Sequence, residues 1–365
     1  MRRRSPTAPG RRRRGRAPGG EPRRSCVLSP IFSAPCRPGA VQGSAAARPG
    51  CPGGGPLDPE GAPLPSFRPK REEATMRIGI AGVGRMGAAI AERLLGLGHE
   101  VHVWNRTPAR VEPLVAKGAV AATSLRDLAG AVEAVISIVT DAAAIEAVYG
   151  DLLDGSIAGK LVIEMSTVRP EVERHLASRV KAAGADFVEC PVGGTVAPAR
   201  DGKLLGFAAG EAGAIERARP ILDALCRRWE PVGEVGNGAR VKLAINLPLA
   251  VYWQALGESL ALCREVGLSG ETLVSLLADS SAGPNVLKNR AALVAKAIDG
   301  ERVPGTFDVD GMRKDLRTMI EEAQAKGTTL PVAEATLAAY DQGAAAGLGN
   351  LDGATQSYFW SRKGS

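Results

Sequence analysis

Between residues 77 and 190 the chain alternates short apolar runs with stretches of helical period. The runs are RIGIAG (77–82), EVHVWN (100–105), AVEAVISIVT (131–140), KLVIEMST (160–167) and ADFVEC (185–190). Near-continuous apolar runs of this length suit strands buried on both faces. Between them lie helical patterns such as MGAAIAERLLGL (86–97). Another, TPARVEPLVAKG (107–118), opens with Thr107 placed as an N-cap and Pro108 at the first helical position, and closes on Gly118. Strands alternating with helices build right-handed βαβ units, and these predict a parallel sheet covered on both faces over residues 76–237.

After Gly238 the pattern changes. VKLAINLPLAVYWQALGESLALCREVG (241–267) is helical over nearly its whole length, with Pro248 expected to kink or break it. ETLVSLLADS, NVLKNRAALVAKAI, MRKDLRTMIEEAQAKG, PVAEATLAAYDQGAAAG and LDGATQSYFWSR follow, all helical in composition, with no strand candidate. Residues 238–365 therefore read as an all-α domain entered through a long interdomain helix. The apolar content of that helix exceeds one face, so burial against a second copy of the chain, a homo-oligomer, is expected.

The first strand runs into GVGRMG, which sets Gly82, Gly84 and Gly87 in G-x-G-x-x-G spacing. The motif is weak alone but stands here in its required context, between a strand and a helix. The first glycine makes the tight turn, the second lets backbone approach a pyrophosphate, and the third lets the helix pack on the sheet. The helix N-terminus offers N–H donors and a positive dipole end to the phosphates. Gly82, Val83, Gly84, Arg85, Met86 and Gly87 are thus candidate dinucleotide contacts in a Rossmann-type doubly wound α/β domain. An NAD site places a carboxylate about 20 residues on for the ribose 2′-OH. Here the second strand ends in Asn105-Arg106-Thr107, with no carboxylate. A guanidinium beside amide and hydroxyl groups suits a 2′-phosphate, so NADP(H) is favoured, with NAD(H) the alternative.

Three further strand ends bear on chemistry, because ligands of open α/β sheets bind at the carboxyl ends of strands. IVTD (138–141) brings Val139 and Thr140 towards the cofactor, and MSTV (165–168) brings Ser166 and Thr167. CPVGGT (190–195) offers the N–H groups of Gly193 and Gly194, a concavity suited to a carboxylate. Lys242 and Asn246, at i and i+4, share one face of the long helix amid apolar neighbours. A lysine there either packs its stem and sends its head to water, or faces a cleft.

With GVGRMG, STV, CPVGGTVAPARDGKL, GNGARVKLAIN and RKDL, the chain resembles the β-hydroxyacid dehydrogenases over residues 77 to about 358. The resemblance implies that the lysine of G-x-G-x-x-x-K, here Lys242, is the catalytic residue, with Asn246 its partner. It also implies that Thr167 touches both cofactor and substrate, and that Phe307 and the pair Lys314-Asp315 reach back over the nicotinamide. Thr167, Gly193, Gly194, Phe307 and Asp315 are then substrate candidates, and Lys314 a cofactor candidate. The expected reaction is NADPH-dependent reduction of a small aldehyde or oxo acid bearing a carboxylate, reversible as a hydroxyacid dehydrogenase. NRT and GLGNLD (347–352) look most like the glyoxylate/succinic semialdehyde reductase branch, with an NAD-dependent 3-hydroxyisobutyrate enzyme as the alternative. Many relatives carry serine where this chain has Gly193, which bears on the substrate and not on the reaction type. Tyr252-Trp253 either shape the pocket or pack in the core.

Residues 1–75 differ from the rest. They hold 14 of the 25 prolines and, with 15 basic and 5 acidic residues, carry +10 of a chain whose total is +7, leaving the body at −3. Such a segment cannot bury enough apolar surface to order itself. We favour a start at Met76 over a transit peptide or a DNA-binding arm. The alternative of a non-catalytic chromatin scaffold rests on that basic tail alone, and the acidic body argues against a nucleic-acid surface. The six cysteines form no C-x-x-C pair and the three histidines lie at no ligand spacing to them, so neither a metal site nor a disulfide framework is expected. No apolar stretch is long enough to span a bilayer, and a cytoplasmic enzyme is expected.

Overall fold

The computed structural model describes residues 75–363, so the tail expectations lie outside the described residues. The first half comprises β1 (Arg77–Ala81), α1 (Arg85–Gly96), β2 (Glu100–Trp104), α2 (Glu112–Val115), β3 (Val120–Ala121), α3 (Leu125–Ala131), β4 (Ala134–Ser137) and α4 (Ala142–Leu153). It continues with β5 (Leu161–Glu164), α5 (Pro170–Ala182), β6 (Asp186–Glu189), β7 (Val192–Gly193), α6 (Val196–Arg200), β8 (Leu204–Gly210), α7 (Ala212–Leu225) and β9 (Cys226–Pro231).

The sheet order is β3-β2-β1-β4-β5-β6-β8-β7, with β9 on β8. From β3 to β6 all pairs are parallel. The chain winds outward from β1 in one direction and from β4 in the other, so the switch point lies between those two strands. Alternate residues face opposite ways and both faces are buried. Ile80, Ile136, Ile163 and Val188 belong to one core, while Ala81, Val135, Val162 and Phe187 belong to the other. This is why the strands read as continuous apolar runs.

Two expectations need correction. The sheet is not parallel throughout, because β8 runs antiparallel to both β6 and β7. β8 (LLGFAAG) is rich in Gly and Ala, and β9 (CRRWEP) is charged and largely exposed, so neither carries a strand signal. The 107–118 helix is also broken, into a 3₁₀ turn at Pro108–Arg110 and the four-residue α2, and the Thr107 side chain caps neither. Pro113 inside the same stretch prevents one continuous helix.

The second half comprises α8 (Asn237–Leu262), α9 (Gly270–Asp279), α10 (Asn285–Ile298), α11 (Val309–Ala325), α12 (Pro331–Gly343) and α13 (Thr355–Arg362). Its core gathers Trp253, Leu256 and Leu260 of α8 with Met312, Leu316, Met319 and Tyr340. Trp253 is fully buried, which settles it as packing. Gly257 lets α13 approach, since a Cβ there would lie 2.8 Å from the Trp360 Cβ. Of the kink or break expected at Pro248, the break does not occur, since α8 runs through it to Leu262. The proline sits on the exposed side, where the lost bond and the ring clash with the Ala244 carbonyl fall towards solvent. Among the described residues no helix is long and apolar enough to cross a membrane, and no group of His, Cys, Asp and Glu could hold a metal ion.

Candidate active site

The C-terminal ends of the central strands are in register: Ala81 pairs with Ser137, Ser137 with Glu164 and Glu164 with Glu189. The loops after them therefore leave from one edge. At the first, Gly82 has φ +104, and a Cβ there would lie 2.5 Å from the Ile138 carbonyl oxygen. A Cβ on Gly87 would run into the Gly82 carbonyl oxygen, so α1 starts hard against the turn. On Gly84 a Cβ would meet nothing within 4 Å. That open side, facing the N-terminus of α1, is the cradle a pyrophosphate requires, so the residues present fit a dinucleotide.

Asn105 braces this turn. Its Oδ1 accepts the Val83 N–H at 3.0 Å and its Nδ2 donates to the Thr107 carbonyl at 3.0 Å. Arg106 and Thr107 are exposed beside it, and no ion pair involves Arg106 among the described residues. The Arg85 guanidinium crosses to the helical half, where it bonds the Gly305 carbonyl and the Asp308 carboxylate, the latter at 2.5 Å. The other Asp308 oxygen accepts the Gly311 N–H at 2.8 Å and caps α11.

At the next edge, the Val139 N–H donates to Ser166 Oγ at 2.8 Å, and the Ser166 N–H donates to Glu164 Oε1 at 2.8 Å. Ser166 is thus a tie between loops, buried and used up, while Thr167 beside it is only half-buried. The Val139 side chain packs towards Gly82. Thr140 is exposed and its hydroxyl donates to Asp141, which caps α4. Met86 packs its partly buried side chain on the sheet core. Gly194 has φ +127 and is exposed, and a Cβ on the preceding Gly193 would touch Leu205 only at an ordinary 3.7 Å.

Lys242 is buried, 8% exposed, and its Nζ donates to Asn246 Oδ1 at 3.1 Å. Asn246 Nδ2 donates to Asp315 Oδ2 at 2.7 Å. Asp315 Oδ1 in turn lies 2.7 Å from Lys314 Nζ, which donates to the Thr167 carbonyl at 2.5 Å. One polar chain therefore runs from the α8 lysine through α11 to the end of β5. Asp315 acts on Lys242 through Asn246. Phe307 lies just before α11, packed partly against the helical core. Burial pushes the Lys242 ammonium below the usual lysine range, opposed by the Asp315 charge and aided by that of Lys314.

Residue typing missed the glutamates beneath this edge. Glu189 binds the first turn of α8: Oε2 accepts the Gly236 N–H at 2.5 Å and Oε1 accepts the Ala239 N–H. Its signal was a carboxylate at the carboxyl end of a buried strand, in ADFVEC. Glu164 takes the Tyr149 hydroxyl at 2.9 Å, and Glu173 is fully buried with neither oxygen bonded.

Comparison with known proteins finds similarity over both halves of the chain. The family described as the NAD binding domain of 6-phosphogluconate dehydrogenase matches residues 77–233, and the one described as NAD-binding of NADP-dependent 3-hydroxyisobutyrate dehydrogenase matches residues 236–357. Glyoxylate/succinic semialdehyde reductase 1 of Arabidopsis thaliana is 33% identical over 280 residues, 76% of this chain and 96% of the relative. The 3-hydroxyisobutyrate dehydrogenase of Pseudomonas aeruginosa is 33% identical over 261 residues, 70% of this chain and 88% of the relative. A solved 3-hydroxyisobutyrate dehydrogenase from Salmonella typhimurium superposes with a TM-score of 0.69 at 28% identity, covering 77% of this chain and 99% of that one.

Proposed function

This chain belongs to the β-hydroxyacid dehydrogenase family, NAD(P)-dependent oxidoreductases acting on CH–OH groups, and from that premise we propose that it is an NADPH-preferring reductase of small aldehydes or oxo acids bearing a carboxylate. The observation that carries the reading is the buried chain Lys242–Asn246–Asp315 set against the carboxyl edge of the sheet. Gly82 to Gly87 would hold the diphosphate, Val139 and Thr140 would line the cofactor, and Lys314 would close over it. Asn105, Arg106 and Thr107 would take a ribose 2′-phosphate. Support for NADPH is the absence of a carboxylate on β2's end and an exposed guanidinium in its place.

When bound, the dinucleotide supplies the hydride to the carbonyl carbon. The chain's own residues handle the oxygen and the carboxylate. Lys242, held by Asn246, presents an ammonium to the carbonyl oxygen, stabilises its growing negative charge and delivers the proton. A depressed pKa suits it to both directions of reaction. Thr167 and the N–H groups of Gly193 and Gly194 hold the substrate carboxylate, and Phe307 walls the pocket, fixing the carbonyl in place. The apolar neighbours of Lys242 keep water out.

The test is NADPH oxidation with glyoxylate, succinic semialdehyde, tartronate semialdehyde and methylmalonate semialdehyde, repeated with NADH. Turnover of the last aldehyde with NADH alone would instead support the 3-hydroxyisobutyrate reading. We also read the protein as a cytoplasmic homo-oligomer, supported by exposed apolar side chains at Ile245 and Leu262 of α8.

A further inference from the structure

Glu189 ends β6 and is wholly buried, a setting that disfavours a charged carboxyl. Its oxygens are committed to the first turn of α8, where they accept the N–H groups of Gly236 and Ala239, with that of Gly238 also directed at them. These are donors that a helix leaves unsatisfied at its start. The residue at the cap position, Gly236, has no side chain to meet them. The fit is close: a Cβ on Gly238 would lie 3.0 Å from the Glu189 carboxyl carbon and 2.7 Å from the Phe207 carbonyl oxygen. Gly236 is required for a different reason, its φ of +97 and an Arg174 nitrogen 2.7 Å from where its Cβ would be. Lys242 follows about one turn beyond this seat.

We propose that Glu189 is a positioning residue for the reaction: its carboxylate fixes the first turn of α8 against the sheet edge and thereby sets the reach of Lys242 into the cleft. This rests on Lys242 being the proton donor. The charged groups facing Glu189 are Glu173 and Arg174 from α5 and Glu164 from β5. Burial pushes Glu189 up to about 7, held back by the three N–H donors and by Arg174. Burial and the charges of Glu164 and Glu189 push Glu173 well above the carboxylate range, so it stays neutral while Glu189 ionises. Protonating Glu189 removes an acceptor, leaves an N–H of α8 without its partner and lets the turn relax.

With glyoxylate and NADPH as probes, kcat of the full chain should fall as pH drops through about 7. Glu189→Gln keeps one acceptor oxygen and cannot ionise. It should show, across the range, the low rate of the acidified wild type, roughly tenfold below plateau, with the acid limb gone and KM for NADPH nearly unchanged. Glu189→Asp keeps the charge and should keep the limb at a lower plateau. A Gln variant with the wild-type plateau, or with the acid limb intact, overturns the proposal. Amide exchange over residues 236–246 gives a readout independent of turnover. Protection, corrected for intrinsic rates, should fall from pH 8 to pH 6 in the wild type and stay low in the Gln variant. Protection in the wild type that ignores pH also overturns it, even if the Gln variant fails to fold. Loss of glyoxylate reduction in the wild type with this exchange pattern intact would fault the reductase reading and leave the Glu189 clamp standing.

Discussion

Lys242 owes its chemistry to its seat. Burial lowers its pKa, so the ammonium loses its proton at a pH below that of an ordinary lysine. In the reductive direction the rate should therefore decline on the alkaline side at a pH where free lysine is still charged. The oxidative direction, which needs the amine, should gain over the same range. Profiles of kcat against pH in both directions check this, and parallel profiles would refute it. Gly193 makes a second prediction. A side chain there has room, so Gly193→Ser should fold with an unchanged melting temperature and alter KM for the carbonyl substrate more than kcat. Among single residues, the shared helix face of Lys242 and Asn246 and the turn glycines could be read from spacing, while the role of Lys242 came only from the family resemblance. The Glu189 clamp could not, because it pairs a side chain with backbone N–H groups 47 and 50 residues away.

At the scale of elements, α11 straps the two halves together. Its cap Asp308 holds Arg85 beside the phosphate turn, Lys314 reaches the Thr167 carbonyl, and Glu322 lies 3.8 Å from Arg169 just after β5. Asp308→Ala should cost about 1 kcal/mol through the lost cap and raise KM for NADPH as Arg85 comes loose, checked by thermal melting and steady-state kinetics. α5 carries a second prediction. Glu173 holds its proton in the fold, so its favourable share of stability is present below its unfolded pKa near 4.5 and is lost as pH rises towards its raised folded value. Glu173→Gln should melt like wild type at pH 5 and several degrees higher at pH 9. An equal shift at both pH values would contradict that assignment. β1, β4, β5 and β6 were legible because burial on both faces makes them nearly continuous apolar runs, and β2 because its valines alternate into the core. β8 and β9 were not, since one packs through Gly and Ala and the other lies at an exposed edge.

For the whole molecule, the remaining question is what covers the apolar side chains that the helical half leaves in solvent. Leu262 is 87% exposed, and Val266 and Leu276 are more than half exposed. If a second copy covers them, Leu262→Glu should shift the sedimentation coefficient towards that of a monomer while the isolated fold survives. The two-domain plan was readable from the change of period after Gly238. The seam between the domains was not, since its bonds join Arg85 to Asp308 and Lys314 to the Thr167 carbonyl, pairs far apart in sequence. The central claim is that Lys242 at that seam delivers the proton. The most direct measurement is single-turnover NADPH oxidation with glyoxylate by wild type and Lys242→Ala, alongside NADPH binding to each. A loss of roughly 10²–10⁴ in rate with NADPH affinity retained is the predicted result. A variant within threefold of wild type would show that the proton comes from elsewhere.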